Sequence, residues 1–335
     1  MVEGGGEGKK VCVTGANGYI ASWIIKLLLD RGYIVHGTVR SLDDPSKTAH
    51  LLELDGAKDR LKFFEASLSE EGSFDAAIDG CIGVFHSASP VKIAAPNPEE
   101  EIIAPAVNGT LNVLASCVKN PTVKRVVFTS SIGACVFNDR PQTPEVVVDE
   151  TWWSVPEFCK FSPLKWYLMS KTLAEQAAWK FVKENGIDMV TINPTICIGP
   201  LLQNTLSGSC TYIHALVNGS ETYLNETFNW VHVKDVAEAH IRAFEIPSAH
   251  GRYLMGESIA HHSEIVEILR ELYPDLKLPT KPSDDRPPAQ LCKISQEKFE
   301  SLGIKYTPLR DAVKDTVDCF KKKKFITDQK PELKL

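Results

Sequence analysis

The chain has 335 residues, is 43% apolar and carries a formal charge of −6. This is enough chain for a nucleotide-binding domain and a smaller lobe around one cleft, and the charge excludes a nucleic-acid or anionic-membrane partner, because the one basic run is Lys321 to Lys324. Nine cysteines without a Cys-x-x-Cys, no signal-like N-terminus and no run of 18 apolar residues give the expectation of a cytoplasmic protein without a membrane span.

The first element is the apolar run Val11 to Thr14, which ends in Gly15-Ala16-Asn17-Gly18 and leads into Tyr19-Ile20-Ala21-Ser22-Trp23-Ile24-Ile25. It reads as strand, phosphate loop and helix. Gly15 permits a tight exit from the strand, Gly18 lets backbone approach a pyrophosphate, and Ala21 lets the helix pack closely. The helix N-terminus favours an anion, so Gly15, Asn17, Gly18, Tyr19 and Ile20 form the candidate cradle.

A second strand, Ile34 to Val39, ends at Arg40, where an acid would accept from a free ribose 2′-hydroxyl. A guanidinium pairs instead with a 2′-phosphate, so Arg40, with Lys47 as a second cation, predicts NADPH. Leu61 to Glu65 reads as a third strand and Cys81 to Ala88 as a fourth, whose end brings Ser89 to the cofactor; His86 reads as structural. The alternation of strands with helices, including one from about Pro98 to Lys119, predicts an α/β fold with a doubly wound parallel sheet. On that helix Asn108 reads either as orienting a relay water or as packing.

Val123 to Ser131 is a fifth strand that delivers Ser131 to the cleft, and the helical run from Lys165 to Trp179 places Tyr167 and Lys171 on one face. Reduction of a carbonyl needs a proton for the developing alkoxide. Tyr167 fits the donor, and a free phenol titrates near ~10. Lys171 at ~4 Å and an effective dielectric of ~20 interacts by ~4 kcal/mol, which predicts a lowering of the phenol by roughly one to three units. Ser131 donates to the substrate oxygen.

Further on, Ser209 to Asn218 reads as helix, Trp230 to His240 as strand into helix with Asp235 as its N-cap, Gly251 to Met255 as strand, and Pro308 to Lys323 as the closing helix. Phe137, Tyr212 and Phe228 are candidates for an aromatic pocket, and the Cys and His residues show no metal-ligand spacing.

Val13 to Ala21, Phe128 to Ala134, the Tyr167/Lys171 pair and Ile192-Asn193-Pro194-Thr195 together resemble the plant extended short-chain dehydrogenase/reductases. That group includes dihydroflavonol reductases, cinnamoyl-CoA reductases and related phenylpropanoid aldehyde reductases, and the resemblance runs from about Lys10 to Phe325. It implies a Rossmann domain over residues 8–200, mainly a substrate lobe over 201–325 with some return segments, and flexible tails at 1–7 and 326–335. It also implies NADPH, with Pro194 and Thr195 among its contacts, and Ser131, Tyr167 and Lys171 as the catalytic set.

Cinnamoyl-CoA reductases hold CoA phosphates with a His-x-x-Lys pair and a later Arg; here His214 matches, but Val217 and His262 stand for the two cations. Around the catalytic pair their Asn-Trp-Tyr-Cys-Tyr-Gly-Lys is reduced to Trp166, Tyr167 and Lys171. Ser67 stands where many relatives carry an Asp near the adenine. The expectation is therefore a zinc-independent, NADPH-dependent reductase that takes a small aromatic aldehyde to its alcohol, similar to cinnamyl-alcohol-dehydrogenase-like and phenylacetaldehyde-reductase-like members. The alternatives are a cinnamoyl-CoA reductase or a polyketide- or flavonoid-ketone reductase of the same fold, and, from another class, a non-catalytic NADPH sensor.

Overall fold

The computed structural model describes residues 5–90 and 94–326, so most of both expected tails lies outside the described residues. The strands that build the molecule are β1 (Lys10–Thr14), β2 (Ile34–Val39), β3 (Leu61–Glu65), β4 (Gly83–His86), β5 (Arg125–Thr129), β6 (Met189–Pro194), β7 (Ile196–Ile198), β8 (Thr227–His232), β9 (Gly251–Met255) and β10 (Ser258–His261). The main helices are α1 (Tyr19–Asp30), α2 (Ala104–Lys119), α3 (Lys165–Asn185), α4 (Thr211–Val217), α5 (Val233–Glu245), α6 (His262–Leu272) and α7 (Leu309–Lys322).

Seven strands form one parallel sheet in the order β9-β6-β5-β4-β1-β2-β3. Strand β1 shows why its sequence is an unbroken apolar run. Val11 and Val13 face the core under α1 and α5, while Cys12 faces the core under α2 and α3, so helices cover both sides. The winding reverses between β1 and β4, which opens a crevice at their carboxyl ends.

A three-stranded sheet, β10-β8-β7, packs with α4, α6 and α7 around a separate core containing Trp230, Ile265 and Phe320. The two halves are interwoven. Only Thr195 separates β6 in the large sheet from β7 in the small one, and after β8 the chain returns through α5 and β9 to the large sheet.

Three local readings change. The fifth strand stops at Thr129, so Ser130 and Ser131 lie past the ladder, in reach of the crevice. Asp235 is not the N-cap of α5: that helix starts straight from β8, and the ring of His232 accepts from the Lys234 N–H at 3.1 Å instead. The Asp235 carboxylate accepts from the Thr307 N–H at 2.7 Å and hydroxyl at 3.0 Å, which ties α5 to the start of α7. The stretch from Glu99 to Lys119, wound as a π-helix to Ile103 and then as α2, is long and apolar enough on average to cross a membrane; half of that window is buried inside the fold.

Candidate active site

The phosphate loop is fixed by its own backbone. Gly15 has φ +65°, and a Cβ there would meet the Ala88 Cα at 2.9 Å, so only glycine fits between the two strand ends. The Gly15 N–H donates to the Thr38 hydroxyl at 3.3 Å and the Ala16 N–H to the Thr38 carbonyl at 2.8 Å. Gly18 is the N-cap of α1 and has no side chain to cap it, which leaves the first-turn N–H groups of Tyr19 and Ile20 open to an anion. The Tyr19 side chain turns away, donating to the Gly199 carbonyl at 2.9 Å, so its part in the cradle is its backbone.

Arg40 is exposed at the carboxyl end of β2. Lys47, in the short turn Pro45–Lys47, pairs with Asp44 at 3.3 Å, an exposed contact that holds it only weakly. Ser89 is half-buried just after β4. At the end of β6, Pro194 is buried and Thr195 keeps a buried hydroxyl without a partner. Ser67, past β3, shares a hydrogen bond with Ser69 at 2.8 Å, and Asn108 is exposed on α2.

His86 is structural. The Thr14 hydroxyl accepts from the Ser87 and Ala88 N–H groups, so its proton goes to His86 Nδ1 at 2.9 Å, and His86 Nε2 donates to Thr110 at 3.3 Å. Burial holds this ring's pKa down at about 3, with the charge on Lys171 adding to the effect.

The reacting groups converge where β5 meets α3. The Ser131 hydroxyl oxygen accepts from the Gly133 N–H at 3.1 Å, which leaves its proton to donate. Tyr167 begins the face of α3 that continues, one turn on, with Lys171. Lys171 is 5% exposed and donates to the Thr129 carbonyl at 2.9 Å, with Nζ 5.5 Å from the centre of the Phe128 ring. Burial lowers its pKa to about 8, opposed by Glu175.

The phenol of Tyr167 is raised, not lowered: burial dominates, and the hydrogen bond with Ser131 works against it. The expected lowering by Lys171 is absent because that ammonium is turned to the Thr129 carbonyl and shares its charge with Glu175. The phenol therefore holds its proton at neutral pH.

Beneath these groups lies a buried network that the motifs did not reveal. Glu175, fully buried one turn after Lys171, accepts from Arg252 Nε at 2.7 Å, Ser130 Oγ at 2.5 Å and Asn193 Nδ2 at 2.8 Å. The one signal in the sequence was an acid on the core-facing side of a helix and an arginine inside a strand.

Of the aromatic candidates, Tyr212 and Phe228 meet edge to face at 4.9 Å and both contact the His262 ring; Phe137 lies on the loop after Ala134, outside that group. Among the described residues no group of three or more His, Cys, Asp or Glu is placed to hold a metal ion.

A parallel doubly wound sheet with this phosphate turn, and with Ser131, Tyr167 and Lys171 at the strand ends, defines a nucleotide-binding fold of the extended short-chain dehydrogenase/reductase class. The chain belongs to the NAD dependent epimerase/dehydratase family, whose family model matches residues 11–256. It is 58% identical over 318 residues to the cinnamoyl-CoA reductase CAD2 of Medicago truncatula, covering 95% of this chain and 97% of that protein. The structure of vestitone reductase from alfalfa superposes with a TM-score of 0.82 at 36% identity, covering 95% of this chain and 99% of that one. Yeast methylglyoxal/isovaleraldehyde reductase Gre2, complexed with NADPH, gives a TM-score of 0.84 at 28% identity, covering 95% and 100%.

Proposed function

We propose that the protein is an NADPH-dependent reductase of cinnamoyl-type carbonyls, with the CoA thioester as its substrate class. The observation that carries the reductase reading is the convergence of a proton-holding phenol, the serine hydroxyl that bonds to it and a buried lysine at the mouth of the crevice. The substrate class rests on the 58% identity to a cinnamoyl-CoA reductase over nearly the whole of both chains.

The residues present fit the cofactor. The tight turn at position 15 is possible because it lacks a Cβ that would meet Ala88, the α1 N-terminus is uncapped, and the buried Thr195 hydroxyl has a bond to give. Arg40, exposed at the end of β2, would pair with a 2′-phosphate, and the single charge of Lys47 is matched by Asp44. When bound, the nicotinamide supplies the hydride.

The chain supplies the rest. Tyr167 gives its proton to the carbonyl oxygen as charge develops there, Ser131 donates a hydrogen bond to the same oxygen, and Lys171 has two N–H groups left beyond Thr129 to hold a ribose and the nascent phenolate. A thioester so reduced collapses to aldehyde and free thiol, whereas an aldehyde stops at the alcohol.

One observation favours the aldehyde as a second reading. Val217 is 1% exposed inside the core of α4, α6 and α7, His262 is buried with Nδ1 donating to the Glu226 carbonyl at 2.8 Å, and His214 donates to the Phe325 carbonyl at 2.9 Å. None of the three offers a free cation to a CoA phosphate. NADPH oxidation followed in parallel with feruloyl-CoA, coniferaldehyde and phenylacetaldehyde decides between them. Turnover of feruloyl-CoA at a kcat/KM at least equal to that of coniferaldehyde is expected; aldehyde turnover with none of the thioester would reverse the assignment, and no turnover of any would remove the reductase reading.

A further inference from the structure

The buried Glu175–Arg252 pair is the largest polar feature that the proposed chemistry does not use. Arg252 on β9 donates through Nε to Glu175 Oε1 at 2.7 Å, through Nη1 to the carbonyls of Glu150 and Trp152, and through Nη2 to the Ala134 carbonyl at 3.3 Å and Cys135 Sγ at 3.0 Å, with its guanidinium 3.8 Å over the Trp153 ring. Glu175 in turn reaches the serine loop twice. It accepts from Ser130 Oγ at 2.5 Å, and it shares Asn193 Nδ2 with the Ser131 carbonyl, at 2.8 and 3.2 Å. A network that served packing alone would not need its bonds to end on the Ser130 hydroxyl and the Ser131 carbonyl, the groups on either side of the Ser131 Cα.

We propose that Glu175 is a positioning residue of the active site: with Arg252 as counter-ion it fixes the backbone that aims Ser131, and its carboxylate sustains the charge on Lys171 one helical turn away. The inference rests on the reading of Ser131 and Lys171 as the groups that meet substrate. Burial opposes the ammonium most, and Glu175 is the charged group that acts in its favour; His86 nearby is neutral. From α5, His240 faces the same strand end, with Nδ1 donating to the Val236 carbonyl at 2.7 Å and Nε2 accepting from Thr129 Oγ1 at 2.7 Å, so it stays neutral. Tyr167 and the Phe128 ring complete the surroundings and carry no charge at neutral pH.

The test separates charge from packing by direction. Lysine 13Cε resonances of the free protein are titrated by NMR, with Lys171→Arg used to assign the signal, so the readout needs neither cofactor nor turnover. Glu175→Gln is expected to move the Lys171 midpoint down from about 8 by roughly one unit. Arg252→Met, which frees the carboxylate from its counter-ion, moves it up. Simple loosening of the site would admit water and move both variants up, toward an ordinary lysine, and that outcome overturns the proposal, as does no shift in either.

If Glu175→Gln fails to fold with Arg252 left unpaired, the double variant Glu175→Gln/Arg252→Met removes both charges and must still show the downward shift. In turnover, Glu175→Gln lowers kcat more than it raises KM and moves the alkaline limb of kcat/KM to lower pH. A wild-type protein inactive on every carbonyl offered would sink the reductase reading, while the NMR titration would still decide the role of Glu175.

Discussion

Two side chains four residues apart on α3, Tyr167 and Lys171, sit in environments that pull their protons in opposite directions. Burial raises the Tyr167 phenol and lowers the Lys171 ammonium to about 8. Tyr167→Phe is therefore expected to reduce kcat/KM by at least ~10²-fold, since it removes the proposed proton donor, while the dissociation constant for NADPH, measured by quenching of protein fluorescence, stays unchanged. Lys171 is charged below about pH 8 and neutral above it, so kcat/KM should fall as pH rises through that value. A profile that stays flat to pH 10 would show that the ammonium has no part in the rate.

The phosphate turn and the helix caps show which elements sequence can announce. Gly15→Ala sets a Cβ 2.9 Å from the Ala88 backbone at a residue with φ +65°, a strain of ~1–3 kcal/mol. Its expected outcome is NADPH affinity at least ~10-fold weaker by titration calorimetry, together with a lower melting temperature; unchanged affinity would mean the turn is not the phosphate site. That turn was legible because strand, glycine and helix follow one another without interruption, and the placing of Tyr167 and Lys171 on one helix face was legible from their spacing of four. Asp235 misled because acids favour N-caps, whereas its carboxylate is claimed by Thr307 from a segment 72 residues away and a histidine caps the helix. Glu175 and Arg252 stand 77 residues apart and meet only because β9 lies beside β6 in the sheet, an adjacency that no local pattern carries.

At the scale of the whole molecule, burial holds several histidines in neutral form, among them His86 at about 3 and His232 and His240 at about 4. All three lie below the ordinary value of 6.5, so the unfolded chain binds protons more readily than the native one, and stability is lost as pH falls from about 6.5 toward 4. The melting temperature measured by calorimetry should drop across that window, and His240→Gln should flatten the drop; equal slopes in both proteins would assign the acid sensitivity elsewhere. The position of Arg252 has one more consequence. During synthesis the serine loop and α3 emerge long before β9, so Glu175 waits inside the nascent fold without its counter-ion until residue 252 has been added. The candidate site is thus finished late, by a strand arriving at the edge of the sheet, and a chain released before that strand carries Ser131, Tyr167 and Lys171 yet lacks the partner of Glu175 beneath them.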